Sequence, residues 1–257
     1  GIDATGNDVE LESAGGTVTE AGTITATGLS LIGAGGTFDL DTSVHVITTL
    51  AGSTGSVDFQ ENTGFAIGAV TVTGGATTTG LTTTGTTTLT STGSVTQSEA
   101  IGATTLTLES GTFDLNTVNN AVTTLDADNT TLGGDLTFKD DTGFAVAGID
   151  ATGNDVELES AGGTVTTGAS GVVATGLSLI GAGGNFTLTD TGNAITTLAT
   201  NTGVVSFLEN SGYAIGAVTV TGGATTTGST TSGNTTLSST GTVTESEVIS
   251  ATGLELL

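Results

Sequence analysis

The sequence predicts an all-β chain wound as a parallel β-solenoid. Three observations carry this: a period-two alternation of apolar and polar residues, a spacing of roughly 19 residues between apolar anchors, and the complete absence of proline. The alternation appears in Val9-Glu10-Leu11, Leu29-Ser30-Leu31, Phe38-Asp39-Leu40, Val70-Thr71-Val72, Val156-Glu157-Leu158 and Leu254-Glu255-Leu256. Each triplet puts two apolar side chains on one face of a strand and a polar one on the other. Gly-Gly, Thr-Gly and Ser-Thr-Gly segments between them are turn signals. The anchors Leu11, Leu31, Leu50, Val70, Leu89 and Leu108, and again Leu179, Leu198, Val218, Leu237 and Leu256, recur at steps of 19 or 20 residues. Leu125, Phe144 and Leu158 fall between the two series with less regular spacing. The expectation is about 14 coils of roughly 19 residues, each with about three short strands, stacked at about 4.8 Å into a column about 65 Å long. Proline would delete a ladder donor, so its absence fits such a ladder.

Internal repetition supports this. Residues 1–19 recur unchanged at 148–166, residues 27–36 at 175–184, and residues 67–80 at 215–228. One repeat therefore covers 1–147, and 148–257 is a partial second copy, in what reads as a single continuous solenoid segment, 1–257. A half-repeat of about 74 residues lies inside it: GTFDL at 36–40 returns at 111–115, and TGFA at 63–66 returns at 142–145. One coil cannot bury its apolar face alone, but stacked coils share a continuous core. A string of β-sandwich domains would explain the half-repeat but not the 19-residue beat.

Composition narrows the function. The chain has one Lys, no Arg, and 26 acidic residues, for a formal charge of −25. Nucleic-acid binding needs clustered bases to displace counterions, so it is not expected. Without Cys there is no disulfide, thiolate nucleophile or Cys/His zinc site. No apolar run is long enough for a membrane-spanning helix. Disorder does not follow from the charge, because charged residues make up 11% and apolar residues 35%, the latter mostly β-branched or large.

No catalytic residue and no cofactor is expected. His45 sits in an alternating strand, SVHVIT, and reads as a solvent-facing or hydrogen-bonded residue. No GxSxG, P-loop or HExxH motif occurs. Carboxylates at Asp39/Asp41, Asp126/Asp128 and Asp140/Asp141 are weak calcium candidates, since hard cations favour such oxygens, but the calcium-binding nonapeptide and the EF-hand loop are missing. Lys139, beside Asp140 and Asp141, reads as an ordinary surface charge pair rather than an isopeptide donor. The threonine run at 77–92 raises an ice-binding reading, yet only Thr88 and Thr90 flank an anchor as a pair. Asn129, Asn185 and Asn234 begin N-x-Thr sequons in a chain where such matches carry little information. Outward carboxylates, such as Glu10, Asp39, Asp58, Asp114, Glu157 and Glu255, are expected to keep the surface charged.

The series LSL-x-GAGGTFDL, VITTLA, GSVDF, FAIGAVTVTGGATTTG and TSTGSVTQSEAI resembles the repeat regions of filamentous haemagglutinin-like surface proteins. The resemblance implies a right-handed β-helix rod that is secreted to the cell surface. The expected function is an extracellular structural filament serving adhesion, biofilm matrix or surface coating. It would assemble end to end or continue as a longer repeat chain, since neither end carries a polar cap. The alternative is an adhesin stalk with a receptor- or glycan-binding face; an ice-binding protein or a polysaccharide-acting β-helix enzyme ranks below both.

Overall fold

The computed structural model describes residues 1–168 and 170–257. Among them there is no helix; the chain is a β-solenoid of parallel stacked strands. The chain divides into two compact units, Gly1–Val122 and Thr123–Leu257.

In the first unit the ladders set apolar residues above one another. Val9, Leu29, Leu50 and Ile67 form one column. Leu11, Leu31, Gly52, Leu81 and Ile101 form a second. Leu40, Phe59, Leu89 and Leu108 form a third. The strands bend rather than break at the coil corners. Strand Gly28–His45 runs through two of them, marked by register shifts between Gly33 and Thr37 and between Leu40 and His45. Gly33 and Gly35, with φ of 126° and 76°, make the first corner; a Cβ at Gly33 would lie 2.2 Å from the Ser13 carbonyl oxygen of the coil beneath.

The second unit repeats the plan. Leu136, Val156, Leu177, Leu198 and Ile215 share one column. Phe138, Leu158, Leu179, Thr200, Ser229 and Ile249 share another. Leu188, Phe207, Leu237 and Leu256 share a third.

Two expectations need correction. The solenoid has about 12 turns, not about 14. Val70 and Val218, counted as coil anchors, belong to no coil. Each lies in an antiparallel hairpin, Ala69–Thr71 with Thr77–Thr79 and Ala217–Thr219 with Thr225–Thr227. Where these hairpins intervene, the coil-to-coil step lengthens from about 20 residues to 30, from Phe59 to Leu89 and from Phe207 to Leu237. The sequence reason is the Val-Thr-Val-Thr alternation running into Gly-Gly, a hairpin signal that the 19-residue beat overlays. The remaining anchors also do not form one column: Leu50 stacks on Leu29, whereas Leu31 stacks under Gly52. Leu31, Leu50, Leu89, Leu108, Leu179 and Leu198 are fully buried, and Val70, Val218 and Leu237 are buried. Leu11 is half-buried and Leu256 is 63% exposed, both in outermost coils.

The hairpins lie across the coils as straps. In the second unit Val218 sits on Gly176, where a Cβ would come within 2.8 Å of the valine Cγ1. Val218, Val220 and Ala199 close a small apolar cluster beneath the strap. Ser178 Oγ donates to Thr226 Oγ1 at 2.8 Å. At the hairpin tip, Glu157 accepts from the Ala224 amide at 3.2 Å and Asp135 from the Thr221 amide at 2.8 Å. One hairpin thus touches the coils of Asp135, Glu157, Ser178 and Ala199. In the first unit Ser30 donates to Thr78 in the same way.

Candidate functional site

The buried polar groups occur at recurring places in the coil. Three corners are closed by one residue five positions after an apolar Phe-x-Leu strand. Asn193 Oδ1 accepts from the Val172 amide at 2.8 Å, and its Nδ2 donates to the carbonyls of Leu188 and Leu208, each at 2.9 Å. Asn120 does the same with the Ile101 amide and the Leu115 carbonyl, and exchanges two further bonds with Gln97. His45 occupies the equivalent corner. The Ile24 amide donates to its Nδ1 at 3.0 Å, so the ring proton sits on Nε2, 3.1 Å from the Leu40 carbonyl oxygen. The ring is fully buried and stacks on Phe59 at 5.3 Å. His45 is therefore one of the hydrogen-bonded residues that the sequence reading allowed, and not a solvent-facing one.

A second recurring device is the run acid-x-Ser/Thr-Gly-aromatic. Buried Glu61 accepts from the backbone amides of Thr63 and Gly64 and from the Thr63 hydroxyl. Glu209 accepts from Ser211 and Gly212 likewise. Asp140 accepts from the Thr142 amide and hydroxyl. The aromatic that follows stands edge-on to the previous strand's Phe: Phe65 on Phe59, Phe144 on Phe138, and Tyr213 on Phe207, with ring centroids 5.0–5.2 Å apart. The sequence shows the TGFA echo, and Asp140 only as a calcium candidate; the turn-closing role of the carboxylate two residues before the echo comes from the structure. The matching ENTGF, DDTGF and ENSGY segments were the available signal.

Tyr213 departs from its two Phe counterparts by a hydroxyl that is buried without a hydrogen-bond partner among the described residues. Burial pushes its phenol pKa up, and Glu209 adds to the shift. Tyr213→Phe is expected to stabilise the second unit by about 1 kcal/mol, because it removes an unsatisfied buried polar atom and keeps the ring contact. Chemical denaturation of the two proteins measures it; equal or lower stability of the variant refutes the account.

The carboxylates expected outside divide into three groups. Glu10 and Glu255 are exposed, while Asp39, Asp58 and Asp114 are half-buried. Glu157 is the correction: it is 1% exposed, because the second hairpin folds over the strand face that its alternation marks as outward. Of the three acid pairs raised for calcium, Asp39 is placed to share a proton with Asp41, which lifts the Asp39 pKa, with burial and the Asp41 and Glu20 charges adding to the shift. Asp126 and Asp128 are half-buried, and the Asp128 carboxylate lies over Gly148, where a Cβ would come within 2.2 Å. Asp140 caps its own turn, and Asp141 accepts from the Ala161 amide of the next coil at 2.9 Å. Among the described residues no group of three potential metal ligands forms. Lys139 pairs with Glu159 of the adjacent coil at 2.8 Å; that hydrogen bond raises its pKa, and the charges of Glu159 and Asp141 add to the rise. Asn129, Asn185 and Asn234 are exposed.

Asp58 stands directly over Asp39 in the ladder. Burial raises its pKa to about 6, with the charges of Asp41, Asp39, Glu109 and Glu20 adding to the shift. The folded value exceeds the unfolded one, so the ionised form is disfavoured by folding. The penalty is absent below the unfolded pKa, develops as pH rises through about 6, and is complete at pH 7. Asp58→Asn is expected to stabilise the first unit by about 1 kcal/mol at pH 7, after allowing for its partial exposure, and by nothing near pH 4. Denaturation midpoints at both pH values check the sign; a gain that persists at pH 4 contradicts it.

A surface groove of about 710 Å³ lies in the second unit. It runs between the Ile180–Gly183 corner and the strap residues Ala224–Thr227, with Thr230–Ser232 beneath. Its lining combines Thr and Ser hydroxyls, the Asn201 amide and glycine backbone with the apolar side chains of Ile180, Ala182 and Ala224, and has no ionisable group. Nothing there pairs a nucleophile with a base.

Comparison with known protein families, with curated proteins and with solved structures finds no match for this chain.

Proposed function

We propose that the chain is structural: a segment of an extracellular or cell-surface fibre, of the filamentous haemagglutinin-like kind, whose stacked coils form an adhesive, matrix or coating filament. One observation supports this best. The recurrent buried polar residues, His45, Asn120, Asn193, Glu61, Asp140 and Glu209, are all engaged in closing corners and turns of the solenoid. Buried polar residues set aside for chemistry would instead face a cleft. An acidic surface would oppose sideways association while coil ladders carry axial contact. With one Lys and no Arg, Cys or Met, the chain offers few sites for trypsin-like cleavage or sulfur oxidation, as suits a polymer that persists outside a cell. Negative-stain microscopy of native material tests the reading. Long uniform fibres, with a mass per length set by coils about 4.8 Å apart, are expected. Discrete particles with a separate head would overturn it.

The second reading is an adhesin stalk that binds a glycan or receptor through one face. The hydroxyl-lined groove beside the second strap favours it, since neutral sugars are recognised by such polar groups. Binding of the whole chain to a glycan panel, lost on Thr227→Val at the groove, would support it.

A further inference from the structure

We propose that His45 is an acid-operated latch on the first coils of the Gly1–Val122 unit: neutral, it ties Ile24 to Leu40; protonated, it lets that corner open. The inference does not depend on the fibre reading. The geometry carries it. The Ile24 amide donates to Nδ1, and Nε2–H donates to the Leu40 carbonyl, so both ring nitrogens are committed. An imidazolium has two donors and no acceptor. A proton taken from solvent by Nδ1 therefore points at the Ile24 N–H, and one corner bond becomes a donor–donor repulsion.

The two corresponding corners contain no such switch. Asn120 and Asn193 make the same pair of bonds, to Ile101 and Leu115 and to Val172 and Leu188, with an amide that does not titrate. The histidine thus stands where the repeat places asparagine.

The groups facing the ring are defined. Glu20, in the turn before Ile24, accepts from the Thr42 hydroxyl and Ser43 amide, and Glu61 is His45's ladder partner in the next coil. Asp39 and Asp41 lie on His45's own strand, and Phe59 covers the ring. Burial holds the imidazole pKa below its ordinary value, against the upward pull of Glu20, the Leu40 carbonyl and Glu61. A depressed folded value means that His45 contributes fully above the unfolded pKa of about 6.5 and loses that contribution as pH falls below it. Asp58 shifts stability the opposite way in the same range, so a global melting curve would mix the two. A local measurement is required.

The test is amide hydrogen exchange by NMR on the whole chain from pH 7.5 to 5.0, expressed as protection factors. Ile24 should lose protection at least tenfold across this range, while Ile101 and Val172 keep theirs. His45→Asn should remove the acid dependence at Ile24 alone. Ring ¹⁵N shifts of the unaltered protein give a second readout, independent of whether the variant folds: Nδ1 should report an unprotonated acceptor at pH 7.5. Constant Ile24 protection, a parallel fall at all three amides, an Nδ1-protonated ring at pH 7.5, or acid dependence surviving in a folded His45→Asn would each overturn the proposal.

Discussion

Asn193→Ala is expected to lower the stability of the Thr123–Leu257 unit by about 3 kcal/mol, which for a chain of this size shifts Tm down by about 10 °C. The side chain is 2% exposed and accepts one backbone amide while donating to two carbonyls, from Val172, Leu188 and Leu208. Alanine leaves those three groups without the partner that joins three stretches of the solenoid. The cost of a buried group left unsatisfied exceeds the net gain of the bond that satisfied it. Asn193→His should recover part of the loss, because His45 makes two of the three equivalent bonds in the first unit. Thermal unfolding followed by circular dichroism measures both. A loss under about 1 kcal/mol for alanine would mean that the corner is held by its ladder alone.

The second large effect comes from two positions that differ together between the copies. In the first unit Gly52 lies under Leu81, and a Cβ on Gly52 would fall 2.8 Å from Leu81 Cδ1. In the second unit the same ladder pair is Thr200 and Ser229, fully buried and hydrogen-bonded to each other at 2.8 Å. One layer fills its space with a leucine over a glycine, the other with two hydroxyls that satisfy each other. Gly52→Thr alone overpacks and buries an unmatched hydroxyl, at about 3 kcal/mol. Leu81→Ser alone empties the layer, at a similar cost. The double variant should lose at least about 2 kcal/mol less than the sum of the singles. A double-mutant cycle by urea denaturation measures the coupling; additive losses would show that the two layers are not alternative solutions to one packing problem.

Much of the fold was legible because β-strand chemistry is local. The Phe38-Asp39-Leu40 alternation places Phe38 and Leu40 in the core, and both are fully buried. Glycine-rich corners and the absence of proline suit a ladder that runs through nearly every strand. The recurring polar devices were only half legible. The TGFA echo drew attention to Phe65 and Phe144, but the carboxylate that holds each turn was hidden among apparent surface charges. His45 looked unremarkable as a sequence position, and only the ladder set it beside Asn120 and Asn193 in role.

The amino-acid order alone determined the strand character and the inward residues of the coils, because each follows from neighbours within a few positions, and it displayed the repetition directly as matching segments. The tertiary structure decided the number of turns, the register between coils and the fate of the outward residues. Period two records which side of a strand a residue takes, but not what later folds over that side. Ser30 and Glu157 alternate as outward residues, and each is 1% exposed beneath a hairpin beginning about 40 to 60 residues further along the chain.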